Sequence, residues 1–150
     1  MKVTEITKKD YTKKYKGILS PLLIHYVKQA QISNEEIHTD IQTVLENSDS
    51  RFWIFEDRGK VFGFCLLNLL YEPGYAMLEH IYFAPKYNKR DYIRVIRELL
   101  KKTCRRYSIN RIYFIVKKDY GFKGDLIKRH ANFMWPGTEV AGMLFYQEIK

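Results

Sequence analysis

Residues 51–84 constrain the fold of this chain more than any other stretch. Three runs rich in aromatic and β-branched side chains follow one another here: RFWIFE, VFGFCLLNLLYE and YAMLEHIYFA. The first two are separated by the turn sequence Asp57-Arg-Gly-Lys60, in which Gly59 can adopt the positive φ that tight turns need. The last two are separated by Pro73-Gly74. Strand-like runs joined by short turns predict an antiparallel meander of three neighbouring strands.

Two helices are expected before this meander, preceded by a short strand over residues 2–6. Thr7 and Asp10 resemble a capping box. The helix that follows is lysine-rich at first and then apolar, and Pro21 is expected to kink or restart it. A second capping box at Ser33–Glu36 precedes a helix whose apolar residues recur at helical spacing. This part of the chain therefore predicts the order β-α-α.

A long helix over residues 91–107, with Asp91 as its N-cap, is predicted after the meander. Its apolar stripe is expected to face inward and comprises Tyr92, Ile96, Leu99, Leu100, Thr103 and Tyr107. The opposite face carries the cations Arg90, Arg94, Arg97, Lys101 and Arg105. A buried strand over residues 111–118, a short helix from Asp125 and one closing strand in VAGMLFYQEI complete the prediction.

The predicted fold class is α/β (α+β), with the element order β-α-α-β-β-β-α-β-α-β. The 150 residues are close to the usual size of one domain, and no repeat, low-complexity tract or linker divides them. We therefore expect a single domain over residues 1–150. A chain of this length buries enough surface to be stable without a metal or a disulfide.

The positive charge of the chain is concentrated in residues 86–118. The whole chain has 26 Lys and Arg against 17 Asp and Glu, which gives a formal net charge of +9. Residues 86–118 hold twelve of the basic residues and two of the acidic ones, a net +10, whereas the remainder holds fourteen and fifteen, a net −1. Any anionic partner is therefore to be sought in this segment, and the alternative is a basic face that is only solvated.

The sequence has no feature typical of a membrane or secreted protein. No apolar run approaches the roughly 20 residues that cross a bilayer, and the first residues lack the apolar region of a signal peptide. Cys65 and Cys104 form no CxxC motif, and both are expected to be buried, reduced thiols. We therefore expect an intracellular (cytoplasmic) protein, or a virion component if a phage encodes it, since the Lys, Tyr and Ile content fits an AT-rich genome.

The order of elements and the run MLEHIYFAPKYNKRDYIRVIRELL resemble the GNAT superfamily of N-acetyltransferases, which has the acyl-CoA N-acyltransferase fold. In that family the fourth strand ends near a Val-x-Pro step and a loop then enters a helix, which Phe83-Ala84-Pro85 and the helix near Asp91 match. The closing stretch, from IKRHANFMWPG to FYQEI, is similar to the family's last helix, Gly-Phe step and final strand. The resemblance implies a mixed, mostly antiparallel, splayed sheet with helices on both faces.

The resemblance also implies that acetyl-CoA is the cofactor, bound where the fourth and fifth strands separate. Main-chain groups near Ile81, Tyr82 and Phe83 would hold the pantetheine and the acyl oxygen. The family's pyrophosphate loop falls on residues 88–93, and all three of its signature positions differ here: Asn88, Asp91 and Ile93. The phosphates are then expected to bind basic side chains instead, those of Lys86, Lys89, Arg90 and Arg94.

The same resemblance makes two residues the candidates for catalysis. Glu79 lies on the fourth strand, where many family members carry a general base, and period-two alternation puts it on one face with Met77, Ile81 and Phe83. Apolar neighbours would raise its pKa, whereas the alternative is a Glu paired with a basic neighbour at the sheet edge. The Tyr that commonly protonates the departing thiolate is absent, because Lys128 occupies its position, and Tyr120 is the candidate substitute.

The four histidines, His25, His38, His80 and His130, show no metal-ligand spacing among themselves or with the cysteines, so no metal is expected. His80 follows Glu79 directly, and strand alternation points the two side chains to opposite faces. Each histidine is therefore expected to have a structural or surface role.

Two functions are compatible with the sequence. The first is transfer of an acetyl or acyl group from acyl-CoA to an amine by direct attack. The second is a catalytically inactive GNAT-like structural or binding module, in a phage virion or a nucleoprotein assembly, that docks through the basic 86–118 face. In that role nucleic acid or another acidic surface would contact Arg94, Arg97, Lys101 and Arg105. The identity of the amine acceptor and the formation of a homo-oligomer stay open.

Overall fold

The computed structural model describes residues 1–30, 32–87, 90–115, 139–141 and 144–148. Within these residues seven strands form one sheet: β1 (Lys2–Glu5), β2 (Ser50–Asp57), β3 (Lys60–Glu72), β4 (Tyr75–Phe83), β5 (Arg111–Ile115), β6 (Glu139–Ala141) and β7 (Leu144–Glu148). The helices are α1 (Lys8–Asp10), which continues through a π-helical turn at Tyr11–Tyr15 into α2 (Lys16–Ala30), then α3 (Asn34–Glu46) and α4 (Arg90–Arg106). A short 3-10 turn at Pro85–Tyr87 links β4 to α4.

The strands lie in the order β1-β2-β3-β4-β5-β7-β6, and the parallel pair is β4 with β5. The β2–β3 turn has φ values of 51° at Arg58 and 77° at Gly59, the combination of two positive angles that a two-residue hairpin turn favours. Gly74, in the β3–β4 turn, also has a φ of 77°. The meander predicted over residues 51–84 and the mixed, mostly antiparallel sheet are both confirmed.

Helices cover both faces of the sheet, as predicted. On one face α2 and α3 pack against the sheet through a cluster that includes Leu19, Ile37, Ile41, Phe52 and Phe64. On the other face α4 packs through a cluster that includes Phe55, Phe62, Leu67, Ile96 and Leu100. Alternation along β2 sends successive side chains to the two clusters. Each large apolar side chain buried in this way contributes about 1.5–3 kcal/mol.

Side chains cap the helices near the N-terminus where the sequence predicts. The Thr7 hydroxyl accepts a hydrogen bond from the Asp10 main-chain N–H, and the Ser33 hydroxyl accepts one from Glu36 N–H. α2 continues through Pro21 without restarting, since buried residues on both sides of the proline hold the helix against the sheet.

Two details of α4 differ from the prediction. The helix begins one residue earlier than expected, so Asp91 lies in its first turn rather than at the N-cap. Cys104 is fully buried, whereas Tyr107 is 41% exposed. The inward row runs through Ile96, Leu100 and Cys104 at intervals of four residues, and the helix ends before Tyr107 can extend that row.

The predicted single closing strand is wrong, because two strands, β6 and β7, form there. They pair antiparallel, with Ala141 opposite Leu144. The helix predicted from Asp125 and the end of the strand predicted over residues 111–118 lie outside the described residues.

Candidate functional site

β4 pairs with β5 along only part of its length. The parallel ladder covers Tyr75 to Leu78 of β4, and β4 then continues to Phe83. Its opposite edge is paired with β3 up to that last residue. Among the described residues, the β5-facing edge of β4 therefore has no strand partner from Glu79 onward. An edge of this kind presents main-chain N–H and C=O groups that an extended ligand can bond.

Glu79 is the extra residue of a β-bulge at the point where the ladder ends. The β3–β4 register passes from Leu66 opposite His80 directly to Leu67 opposite Leu78. No residue of β3 therefore lies opposite Glu79 in the strand register. A bulge of this type bends the strand and redirects the side chains beside it.

The bulge changes which side chains of β4 share a face. Leu78, Ile81 and Phe83 all contact the cluster on the α4 side, although Leu78 and Ile81 are three residues apart. Glu79 instead hydrogen-bonds the Asn68 side chain of β3 and is affected by the charge of Asp40 on α3. The prediction that Glu79 shares a face with Ile81 and Phe83 is therefore wrong, because it assumed unbroken alternation.

The surroundings of the Glu79 carboxyl favour its protonated form. Glu79 is exposed as a whole residue, but partial desolvation of its carboxyl raises the pKa of Glu79 and the negative charge of Asp40 raises it further, whereas the hydrogen bond with Asn68 lowers it. The net shift is upward. No ion pair joins Glu79 to a basic side chain in the described part of the chain, so the alternative of a basic partner is not observed there. A carboxylate with a raised pKa is a stronger base, which suits proton abstraction near neutral pH.

His80, the chain neighbour of Glu79, is held between two helices. Its Nδ1 lies 2.5 Å from the Tyr26 hydroxyl on α2, and its Nε2 lies 2.6 Å from Oδ2 of Asp40 on α3. The His80 side chain is 9% exposed. Because the carboxylate is an acceptor, Nε2–H donates to Asp40, and in the neutral ring Nδ1 then accepts from the Tyr26 O–H.

This arrangement corrects the expectation that His80 and Glu79 point to opposite faces of the strand. Both side chains interact with groups on the side of α3: His80 hydrogen-bonds Asp40, and the charge of Asp40 acts on Glu79. Tyr26 and Asp40 are functional candidates that the sequence did not identify. They lie 54 and 40 residues from His80 along the chain, and no local motif connects them.

Aromatic rings fix the position of Tyr26. Its ring centroid lies 5.2 Å from that of Phe64 on β3, in an edge-to-face arrangement, and 5.6 Å from that of Tyr82 on β4. The ring of His80 is also perpendicular to it, at 5.5 Å. Edge-to-face packing of this kind is favourable and restricts the side chains that take part.

The side chains predicted at the end of β4 are engaged in packing. Tyr82 is buried on the side of α2 and α3, and burial raises the pKa of its hydroxyl. Phe83 stacks on Phe55 with centroids 5.6 Å apart, and Ile81 packs on the α4 side. A ligand along this strand would therefore contact main-chain groups rather than these three side chains.

The basic residues predicted to bind phosphate are exposed around the start of α4 where the structure describes them. Lys86, Arg90 and Arg94 are all exposed. Asp91 lies in the same turn, but its side chain is 87% exposed and one carboxylate oxygen lies 3.9 Å from Arg94 Nη2. Lys89 and Tyr120 lie outside the described residues.

The predicted docking face of α4 is only partly exposed. Arg94 and Arg105 are exposed, whereas Arg97 and Lys101 are half-buried. Lys101 Nζ also lies 3.7 Å from a carboxylate oxygen of Glu98. Two of the four cations are therefore exposed on this face.

The described residues contain no group of His, Cys, Asp and Glu side chains that could hold a metal ion. They also contain no helix that combines the length and the apolar character needed to cross a membrane.

Comparison with known sequences identifies the family. The sequence model of the acetyltransferase (GNAT) family matches residues 6–122, which include the whole meander and α4. The chain belongs to the GNAT family. The predicted resemblance is therefore confirmed, and the membership is consistent with acyl transfer from coenzyme A. No curated protein matches the sequence at a significant level.

Solved structures of GNAT proteins share this fold at low sequence identity. An acetyltransferase of the GNAT family from Staphylococcus aureus Mu50 superposes with a TM-score of 0.70 at 15% identity, covering 99% of each chain. An aminoglycoside 6′-N-acetyltransferase complexed with coenzyme A superposes with a TM-score of 0.72 at 13% identity, covering 100% of this chain and 98% of the other. The PaiA N-acetyltransferase from Thermoplasma acidophilum, in complex with coenzyme A, superposes with a TM-score of 0.60 at 16% identity, covering 98% of each chain.

Proposed function

We propose that this GNAT protein transfers an acetyl or acyl group from acyl-CoA to an amine by direct attack, with Glu79 as the general base. One observation carries the proposal: Glu79 is both the bulged residue of β4 and, within the described residues, the first residue beyond the β4–β5 ladder. Its carboxyl, with a raised pKa, therefore lies where the open edge of the strand begins. A base at that point is adjacent to any ligand that bonds the main chain of β4.

The described residues fit acetyl-CoA. The open edge of β4 leads directly into the loop before α4, and the first turn of that helix presents N–H groups that have no partner within the helix. Lys86, Arg90 and Arg94 add positive charge around this turn, and Arg94 partly balances the carboxylate of Asp91. In this proposal these cations and Lys89 bind the phosphates, and main-chain groups of Ile81–Phe83 hold the pantetheine.

The proposed chemistry uses few protein groups. Bound acetyl-CoA supplies an acetyl group activated as a thioester. The Glu79 carboxylate accepts a proton from the ammonium of the acceptor, directly or through a water, and so frees the nitrogen lone pair to attack the thioester carbonyl. The C–N bond forms, the C–S bond breaks, and the nitrogen releases its second proton to solvent. Tyr120, whose position is not described, is the proposed donor of the proton that the departing thiolate takes up.

Binding of acetyl-CoA is the first test. Ligand at about 100 times its dissociation constant stabilises a fold by about 2.7 kcal/mol, which for a domain of this size corresponds to a rise of roughly 5–10 °C in Tm. We expect such a shift with millimolar acetyl-CoA. Arg94→Glu should reduce it, and Arg105→Glu, the same charge change near the other end of α4, should leave it largely intact. The absence of both a thermal shift and a calorimetric heat with the unmodified protein would refute the enzyme proposal.

A second candidate function is a GNAT fold that no longer catalyses and docks through its basic 86–118 face. The departures at Asn88, Asp91 and Ile93 favour it, because the family's small loop residues are missing. The exposure of Arg94 and Arg105 also supports it. In this role the protein would bind nucleic acid or another acidic surface within a phage virion, a nucleoprotein assembly or a homo-oligomer.

A further inference from the structure

Three side chains from three elements form a continuous hydrogen-bonded chain beside Glu79. Tyr26 on α2 bonds His80 on β4, and His80 bonds Asp40 on α3. Tyr26 is buried and the His80 side chain is 9% exposed, whereas 36% of the Asp40 side chain is exposed. Asp40 is therefore the member of the chain that contacts solvent. Its position depends on His80, which Tyr26 holds through a second hydrogen bond.

We propose that His80 is a positioning residue of the transfer reaction: clamped by Tyr26, it holds the Asp40 carboxylate in place beside the bulged Glu79. The proposal rests on the function proposed above, because it assigns a role in keeping the base competent. His80 touches neither the acceptor nor the cofactor in this role. It acts through Asp40, which in turn acts on Glu79.

The geometry favours this role over simple packing. An Asp side chain on an exposed helix surface samples several rotamers, and its charge is then screened by water. A hydrogen bond of 2.6 Å to a nearly buried ring restricts Asp40 to one position. The ring cannot rotate freely, because its other nitrogen bonds Tyr26, whose own ring packs against Phe64 and Tyr82.

The electrostatic consequence is local. Desolvation raises the pKa of Glu79, the charge of Asp40 on α3 raises it further, and the hydrogen bond with Asn68 on β3 lowers it. If Asp40 moves away, its repulsion of the Glu79 charge is lost and the pKa of Glu79 should fall. A lower pKa makes Glu79 a weaker base toward the ammonium of the acceptor.

The test measures the pKa of Glu79 directly, by ¹³C NMR titration of the protein labelled at glutamate side-chain carboxyls. The Glu79 resonance is assigned by its absence from Glu79→Gln. We expect Asp40→Asn and His80→Leu each to lower the pKa of Glu79. His80→Gln should restore it toward the wild-type value, because the Gln amide can still donate to Asp40. Glu35→Gln, which removes one negative charge from the same helix, should leave it unchanged.

Several outcomes would overturn the proposal. A wild-type pKa of Glu79 in His80→Leu would show that His80 does not position Asp40, and equal shifts in His80→Leu and His80→Gln would indicate packing alone. If His80→Leu does not fold, Tyr26→Phe removes only the hydroxyl and should lower the pKa of Glu79; no change there would count equally against the proposal. Failure of the proposed function is a separate result, since it would appear as absent acetyl-CoA binding or turnover in the wild type, or as full turnover in Glu79→Gln, whatever the titrations give.

Discussion

Gly63 on β3 lies against the main-chain carbonyl oxygen of Tyr82 on β4. A Cβ atom at position 63 would lie 2.4 Å from that oxygen, and 3.1 Å and 3.2 Å from the rings of Phe83 and Phe55. The backbone oxygen cannot move aside as the end of a flexible side chain could. The absence of a side chain at Gly63 therefore keeps β3 and β4 together along the segment whose opposite edge is open.

We expect Gly63→Ala to destabilise the fold by about 1–3 kcal/mol, because the added methyl group forces the two strands apart. The corresponding fall in Tm is roughly 3–10 °C. Gly17→Ala is the matched control, since a Cβ at Gly17 in α2 would meet nothing within 4 Å. Alanine at that helical position should stabilise the protein by up to about 1 kcal/mol. Thermal unfolding of the two variants checks both signs, and equal Tm values would contradict the steric argument.

Replacement of the proposed base should affect turnover far more than binding. Glu79→Gln is expected to lower kcat by about 10²–10⁴-fold, the usual contribution of a general base, while the acetyl-CoA thermal shift is retained. Glu35→Gln, an equivalent change at an exposed site on α3, should retain full turnover. Steady-state assays with amine acceptors measure the effect, and unchanged turnover in Glu79→Gln would remove this residue from the mechanism.

The raised pKa of Glu79 also predicts how stability depends on pH. In the folded protein the Glu79 carboxyl keeps its proton to a higher pH than in the unfolded chain. Its contribution to the free energy of unfolding is therefore fully present below the ordinary Glu pKa. That contribution is lost as the pH rises through the folded-state pKa. Glu79→Gln cannot ionise, so its Tm should exceed that of the wild type at pH 7.5, and the difference should shrink at pH 4. A Tm difference between Glu79→Gln and the wild type that grows as the pH falls would contradict the upward shift of the Glu79 pKa.

The two cysteines should be unreactive in the native protein. Both are free and fully buried in the cluster on the α4 side. Burial raises the pKa of the Cys104 thiol to about 12 and that of Cys65 as well, so at pH 8 about one Cys104 thiol in 10⁴ is ionised. A thiol reagent should titrate no equivalents in buffer and two in denaturant. Rapid native labelling that Cys104→Ser abolishes would show that this side of the core opens.

The docking alternative predicts salt-sensitive binding to acidic polymers. Retention on heparin or nucleic acid should fall steeply with salt if several cations contact the polymer. Arg94→Glu combined with Arg105→Glu should weaken it most, because these two side chains are exposed. Arg97→Glu alone should weaken it less, since Arg97 is half-buried. Retention unaffected by the double change would reject the basic face as the binding surface.

The sequence by itself determined the elements that local chemistry specifies. Ser33 caps α3 through a hydrogen bond to Glu36, three residues away, and Gly59 and Gly74 adopt the positive φ values that their turns require. The three strands of the meander and the inward positions Ile96 and Leu100 of α4 follow from periodicity. The resemblance to the family, which the sequence-model match confirms, rested on the order of these elements and on the run that follows Ala76. The extent of a single domain over residues 1–150 and the role of Tyr120 stay predictions.

The tertiary structure alone decided the surroundings of Glu79. A bulge is a property of the register between β3 and β4, and the alternation of residues along β4 gives no indication of where one extra residue is accommodated. The bonds that link His80 to Tyr26 and Asp40 span 54 and 40 residues. Such contacts exist only after two helices have packed on the same face of the sheet, because hydrogen bonds and charges act over a few ångströms in space, whatever the separation along the chain.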